Sequence, residues 1–209
     1  MIKVLIADDH PIVRQGLKQI LEEQPDMKVT TEARNGQQAI DLAGRADCDV
    51  VLLDLDMPGK SGLDVLKVLK ESRPKLPVVI LSVHPEDQFA LRVLKAGASG
   101  YLTKESAPET LVKAVRRASE GKRYITSTLS ESLASELSFE HRDLPHTMLS
   151  DREFQVMRLI ASGKTVSGIA EEMCLSVKTI STYRARIMEK MKMKTNAELM
   201  RYAMINKLV

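Results

Sequence analysis

Residues 50–59 read VVLLDLDMPG, and the fold follows from how that stretch ends. An unbroken apolar run, Val50 to Leu53, delivers Asp54 to a turn. The same thing happens in residues 4–9, VLIADD, where the run from Val4 delivers Asp8 and Asp9. Runs of Val, Leu and Ile without polar alternation suit strands buried on both faces of a parallel sheet, and in such sheets ligands bind outside the carboxyl ends of the strands. Three acids are expected to converge on one site.

Outward from these two runs, strand-like and helical stretches alternate. KVLIAD precedes a helical segment from Pro11 to Gln24, MKVTTEA one from Gly36 to Arg45, DVVLLD one from Gly62 to Ser72, LPVVILS one from Glu86 to Ala96, and GYLT one from Ala107 to Glu120. Parallel strands need crossover connections, so five such units predict an α/β domain: a doubly wound, five-stranded parallel sheet with helices on both faces. Ser106 followed by Glu109 fits a capping box at the last of these helices, and His10 with Pro11 reads as the start of the first rather than as a metal ligand. Residues 122–148 lack long apolar runs and are rich in Ser, Thr and Glu, which marks a linker. Leu129, Leu133 and Leu137 are spaced for one short helix in it. The expected organisation is a first domain over 1–121, the linker, and a small all-α domain over 149–209.

The net charge of +3 over 209 residues conceals an asymmetry. Residues 1–146 hold 20 basic and 22 acidic residues, a net of −2, whereas Thr147 to Val209 hold 11 basic and 6 acidic, a net of +5 in 63 residues. A small basic domain joined to a mildly acidic one points to a nucleic-acid reader with a separate control unit. No apolar stretch is long enough to span a bilayer, and acids at 8 and 9 interrupt any signal-peptide pattern, so a soluble, cytoplasmic protein without membrane partners is expected. Cys48 and Cys174 stand in separate segments, neither a disulfide framework nor a metal spacing, and both read as buried, reduced core residues.

Asp8, Asp9 and Asp54 held together repel, and a hard divalent ion with oxygen ligands is their natural partner, which makes Mg2+ the expected cofactor. Mg2+ binds readily between a carboxylate and a phosphate, so Asp54 is a candidate nucleophile for phosphoryl transfer. Lys104, just past GYLT, brings a point charge for a phosphoryl oxygen, and Ser82 a hydroxyl at the same sheet edge. At these residues the chain resembles the receiver domains of two-component response regulators, through ADD at 7–9, DLDMPGKSG at 54–62, ILS ending at Ser82 and GYLTK ending at Lys104. The resemblance implies Asp54 as phosphoacceptor and Asp8, Asp9, Asp54 and the backbone carbonyl of Asp56 as Mg2+ ligands. It also implies phosphoryl contacts from Ser82 and Lys104, a rotamer-switching aromatic at Tyr101, and positions at Asp56 and His84 that tune self-dephosphorylation.

The C-terminal residues read as four helices, with Ser150 and Glu153 in capping-box spacing at the first and a helix-turn-helix in the middle pair, turning at Leu175 and Ser176. On its second helix Ile180, Ile187 and Met191 share a side at 3.6-residue periodicity and should face the core. The opposite side carries Lys178, Ser181, Thr182 and Ala185, with Arg186 at its margin. Lys178, Ser181 and Thr182 are candidates for base edges; Arg184, Arg186, Lys190 and Lys192 are candidates for phosphates. The segment resembles the four-helix LuxR-type DNA-binding domain through LSDRE, IASG, IAEEM and SVKTISTYRARIMEKM, although Ala185 stands where relatives can carry a basic residue. The whole chain therefore resembles a response regulator of the NarL/FixJ family. That implies phosphorylation by a sensor histidine kinase, a homodimer on phosphorylation or DNA binding, and double-stranded DNA as target. No enzymatic activity is expected beyond self-phosphorylation and self-dephosphorylation at Asp54. Two rivals remain at this stage: an aspartyl-phosphate phosphatase using Asp54 and Asp56, which leaves the basic tail unexplained, and a phosphorylation-independent DNA binder that keeps its receiver as a dimerisation scaffold.

Overall fold

Val4, Leu5 and Ile6 are fully buried, as are all four apolar residues of the Val50–Leu53 run, because each strand is covered by helices on both sides. The computed structural model describes residues 1–127, 129–131, 144–206 and 208–209, with 87 and 88 as backbone only. Its elements run β1 (Ile2–Ala7), α1 (Pro11–Glu22), β2 (Met27–Ala33), α2 (Gly36–Arg45), β3 (Val50–Asp54), α3 (Gly62–Ser72), β4 (Val78–Ser82), α4 (Glu86–Lys95), β5 (Gly100–Thr103) and α5 (Pro108–Ser119). A 3-10 turn (Pro145–Met148) precedes α6 (Asp151–Ala161), α7 (Val166–Glu172), α8 (Val177–Met191) and α9 (Asn196–Ile205). The chain divides into two compact units, Met1–Leu137 and Ser138–Val209.

All pairings in the sheet are parallel and the strand order is β2-β1-β3-β4-β5, the doubly wound arrangement expected from the alternation. The winding reverses between β1 and β3, which opens a crevice at their carboxyl ends. Register decides what meets there: Ala7 lies opposite Leu53, Asp54 opposite Leu81 and Ser82 opposite Thr103. Asp8, Asp54, Ser82 and Lys104 thus leave the sheet at one level.

Two local expectations are corrected. The Ser106–Glu109 capping box does not form: Ala107 is the N-cap of α5, without a side-chain cap, and Pro108 occupies the first turn. Proline has no N–H to cap and a φ already set for a helix, and the Ser106 hydroxyl instead meets the Thr103 hydroxyl at 3.2 Å. Cys174 is exposed rather than buried, while Cys48 is buried as expected. It sits just after α7 with φ 53°, in the left-handed region. There its N–H donates to the Glu171 carbonyl and that of Leu175 to the Ala170 carbonyl, a reversal that turns the Cys174 side chain away from the core.

The first part of the stretch read as linker is tied to the N-terminal unit. The Tyr124 N–H donates to the Ser99 carbonyl at 2.7 Å, and Tyr124 pairs with Gly100 along the outer edge of β5. The Thr126 hydroxyl donates to Glu86 Oε2 of α4 at 2.6 Å, and Leu129 is buried. Leu133 and Leu137 lie outside the described residues. Among the described residues no helix is long and apolar enough to cross a membrane.

Candidate functional sites

At the crevice, Asp8 and Asp54 end β1 and β3 with side chains that are fully buried. Lys104, extending β5, lies between them, its Nζ 2.7 Å from Asp8 Oδ2 and 2.9 Å from Asp54 Oδ2. Ladder bonds run on past the strand ends, from the Leu55 N–H to the Leu81 carbonyl and from the Lys104 N–H to the Ser82 carbonyl, and these fix the two side chains face to face. Burial pushes the Asp54 carboxyl up to about 6; Lys104 pulls it back and the Asp8 charge adds to the rise. Burial also lowers the Lys104 ammonium, but hydrogen bonds and charges from Asp8 and Asp54 outweigh it and leave the pKa raised.

Asp8, Asp9, His10 and Asp54 each turn one ligand atom to a common point, all within 4.8 Å of one another. Three carboxylates against a single lysine leave surplus negative charge in a buried pocket, and this donor set fits a divalent metal ion. Gly59, in the loop that carries Asp56, takes a φ of +78° that few side chains tolerate, and the Asp56 N–H turns back to Asp54 Oδ1 at 3.3 Å.

Ser82, fully buried, accepts the His84 N–H on its Oγ at 3.1 Å. The His84 carbonyl in turn accepts the Tyr101 hydroxyl at 2.8 Å, with the Tyr101 ring buried. The His84 imidazole lies 3.0 Å from Asp56 Oδ2 and stacks on Phe89 with ring centroids 5.0 Å apart. All five strand-end groups named from the sequence, together with Tyr101, Asp56 and His84, therefore meet around one crevice. Two neighbours join them: His10, which the sequence assigns to the start of the first helix, and Arg14, which it does not single out. His10, although it starts α1, sets its Nδ1 2.9 Å from Asp9 Oδ1 and 3.2 Å from Asp8 Oδ1. Arg14 is buried and donates from Nη1 to the Asp8 carbonyl at 2.7 Å, pinning the peptide that aims Asp8. The available signal was a cation continuing the Leu17 and Leu21 stripe of α1 toward its start.

Replacing Lys104 by Met leaves Asp8 and Asp54 facing each other without a counter-charge. The expected loss is about 2 kcal/mol of stability at pH 8 without divalent ions, shrinking below pH about 6 as Asp54 takes up a proton. Chemical denaturation at both pH values measures it; an equal loss at each would contradict the charge pairing.

In the second unit the capping box at α6 forms as expected, Ser150 Oγ accepting the Glu153 N–H and Glu153 Oε2 the Ser150 N–H. Ser176 caps α8 by accepting the Thr179 N–H at 3.0 Å. Ile180, Ile187 and Met191 of α8 are buried against the core. Lys178, Ser181, Thr182 and Ala185 form its exposed face, with Arg186 beside them and Glu189 farther along. The Thr182 hydroxyl donates to the Lys178 carbonyl at 2.9 Å. Arg184 and Lys190 are committed within the domain: Arg184 Nε donates to Asn196 Oδ1 at 2.8 Å, and Lys190 Nζ lies 2.6 Å from Glu153 Oε2. Burial alone would raise the Glu153 carboxyl, but Lys190 and the Ser150 donors hold it below the ordinary value.

Comparison with known proteins bears on both units. A family model described as the response regulator receiver domain matches residues 4–116, and one described as bacterial regulatory proteins, luxR family, matches residues 147–203. The chain is 40% identical to the response regulator GacA of Pseudomonas aeruginosa over 201 residues, which cover 95% of this chain and 94% of that protein. It is 38% identical to the response regulator UvrY of Escherichia coli K12 over 200 residues, covering 95% and 92%. Among solved structures, RcsB from Salmonella enterica serovar Typhimurium bound to promoter rprA with the phosphomimetic BeF3- aligns with a TM-score of 0.67 at 29% identity, covering 97% of this chain and 98% of that one. An RcsB–DNA complex aligns with a TM-score of 0.60 at 30% identity, covering 97% and 98%.

Proposed function

Since this chain belongs to the two-component response regulators of the NarL/FixJ family, a receiver joined to a LuxR-type helix-turn-helix, we propose that phosphorylation of Asp54 sets how strongly it binds promoter DNA. The observation that carries this reading is Lys104 held between the buried Asp8 and Asp54 carboxylates, beside a Ser82 hydroxyl wired to the β4–α4 loop. On this reading residues 1–121 are the receiver, 122–148 the linker and 149–209 the DNA-binding domain, and the protein works in the cytoplasm with a sensor histidine kinase as phosphodonor.

Asp8, Asp9, Asp54 and the Asp56 carbonyl would hold Mg2+, which when bound neutralises charge that gathers on the transferring phosphoryl oxygens. Asp54 supplies the attacking carboxylate oxygen: an O–P bond forms as the donor's N–P bond breaks, and the kinase histidine leaves with its electron pair. Lys104 shifts from an ion pair with Asp54 to one with a phosphoryl oxygen. Ser82 donates its hydroxyl to another, and moving toward it strains the bond from the His84 N–H. The loop that loses that bond also holds the Tyr101 hydroxyl, so β4, β5 and α4 repack together. Asp56 and His84, paired at 3.0 Å beside Asp54 and Ser82, would tune self-dephosphorylation.

Phosphorylated chains would pair, and paired domains would read two half-sites through Lys178, Ser181 and Thr182, with Arg186 and Lys192 on phosphates. Arg184 and Lys190 support that helix from within; their engagement with Asn196 and Glu153 argues for positioning α8 ahead of direct DNA contact.

The test loads the protein with acetyl phosphate and Mg2+, then follows intact mass, oligomer size and affinity for DNA selected from a random pool. A single phosphoryl adduct, a shift to dimer and affinity raised about tenfold or more are expected, falling steeply with salt. Lys178→Ala should weaken binding about tenfold to hundredfold in either state. DNA affinity that is the same with and without the adduct would favour the phosphorylation-independent regulator instead.

A further inference from the structure

The stretch that follows α5 is seated on the part of the first unit that the Ser82 hydroxyl is wired to. Tyr124 lies along β5, its N–H bonded to the Ser99 carbonyl, and its side chain packs against the core cluster that holds Val79, Leu102 and Val115. Gly100 makes room for it: a methyl there would stand 3.2 Å from both the Tyr124 Cβ and the Tyr124 carbonyl oxygen. Two residues on, the Thr126 hydroxyl donates to Glu86 Oε2 at 2.6 Å. Thr126 also opens a helical turn, accepting the Leu129 N–H on Oγ1 at 3.2 Å and the Ser130 N–H on its carbonyl at 3.0 Å, and Leu129 is buried. Glu86 is the first residue of α4, two residues past His84, whose N–H binds Ser82 and whose carbonyl binds the Tyr101 hydroxyl. Only Pro85 separates them, and its ring leaves φ little room to absorb a shift. The seat is lightly held as well. Glu86 Oε1 is shut off from solvent and has no hydrogen-bond partner among the described residues, so the contact leaves one carboxylate oxygen desolvated and unsatisfied.

We propose that Tyr124, Thr126 and Leu129 hold a strap that is seated on α4 and β5 while Asp54 carries no phosphoryl group and that leaves its seat when Asp54 does. The proposal rests on the phosphorylation reading given above and adds where the signal leaves the first unit. As Ser82 turns to the phosphoryl group, the His84 peptide gives up its bond, and its displacement passes through Pro85 to Glu86 at the head of α4. Thr126 then loses its acceptor, since a hydrogen bond fails once its partners part by about an ångström. Without Glu86 the Thr126 hydroxyl has no fixed rotamer, so the turn that it caps weakens with it. Only Tyr124 is left to hold the strap to β5. Release adds about ten residues to the tether between the two units, and a flexible stretch of that length spans roughly 16–19 Å. Two such stretches, one from each chain of a pair, are on the scale of the about 34 Å that separates half-sites one helical turn apart. Seated, the strap withholds that reach from the basic domain.

Amide hydrogen exchange of the full-length protein, with and without acetyl phosphate and Mg2+, tests this when intact mass is read on the same samples. The amides of Tyr124, Leu129 and Ser130 each donate within the seat, and each should exchange about tenfold or more faster in phosphorylated wild type. That of Val51, which donates to the Pro77 carbonyl at the opposite end of the sheet from the crevice, should not change. Thr126→Val should take up the phosphoryl group as wild type does and show the fast exchange without it, while Thr126→Ser should restore the wild-type response. A phosphoryl adduct that leaves the three amides protected, or exchange in Thr126→Val no faster than in unphosphorylated wild type, overturns the strap and leaves the phosphorylation reading standing. No adduct on wild type, or the same acceleration in Asp54→Asn, overturns that reading and the strap with it.

Discussion

Asp54→Asn should both abolish phosphoryl uptake and make the first unit more stable. The Asp54 carboxyl is raised from 3.8 to about 6, chiefly by burial, so the folded chain holds this proton more tightly than the unfolded one. For an acid shifted upward, stability declines as pH rises from about 4 to about 6, and the full penalty remains above that window. It amounts to about 3 kcal/mol in the absence of metal. Asparagine keeps the shape and has no charge to desolvate, and Lys104 keeps Asp8 as partner. The variant should therefore melt on the order of 10 °C higher than wild type at pH 8 with chelator, and the gap should close toward pH 4. Saturating Mg2+ should also narrow it, since the cation favours the ionised carboxylate. Calorimetry across that range decides the matter: a gap independent of pH would show that something other than the Asp54 charge separates the two proteins. Intact mass after acetyl phosphate should show the adduct in wild type alone.

Gly62→Ala should be as damaging as Asp54→Asn is stabilising. Gly62 begins α3 directly behind Asp54, its N–H bonded to the Leu55 carbonyl at 2.9 Å. A methyl there would sit 2.1 Å from the Asp54 carbonyl oxygen and 2.8 Å from Leu55 Cα, and neither backbone atom has a rotamer by which to escape. Either α3 withdraws from the sheet, losing contacts of the buried Leu63, Val65 and Leu66, or the end of β3 moves and takes Asp54 with it. A loss of about 3 kcal/mol or more is expected. In whatever protein still folds, phosphorylation should slow about a hundredfold, as follows from displacing a reacting group by roughly an ångström. Gly44→Ala is the control, because a methyl there meets nothing within 4 Å and the position is within α2. It should be neutral or mildly stabilising; equal harm from both would rule out the clash as the cause.

Much of the fold could be read in the chain because burial on two faces writes itself as an uninterrupted apolar run. VLIA, VVLL and VVIL each became a strand, and each ended in the polar residue that the sheet carries to its edge. Core residues of α8 were legible for the matching reason, since Ile180, Ile187 and Met191 repeat at the helical period. Local chemistry was less legible where two devices compete for one position. Ser106 and Glu109 have capping-box spacing, but Pro108 starts the helix by itself. Cys174 is an apolar residue placed by a backbone reversal that needs φ > 0, and nothing in its side chain announces that. His10 starts a helix and also leans over the acids, and sequence spacing registers only the first. Arg14 and the Lys190–Glu153 pair are contacts across the fold, which no local period encodes.

Tyr124 has a further consequence for anyone dividing this chain. β5 is the outermost strand on its side of the sheet, and Tyr124 pairs with it through the Ser99 carbonyl and Gly100. A fragment ended at Gly121, where the fifth helix is complete, would bare the peptide groups at Ser99 and Gly100 that Tyr124 pairs with and would lose the buried Leu129. An open edge strand is a template for adding another strand, so such a fragment would stick to copies of itself for reasons unrelated to signalling. Dimers observed in it would then reflect where the chain was cut.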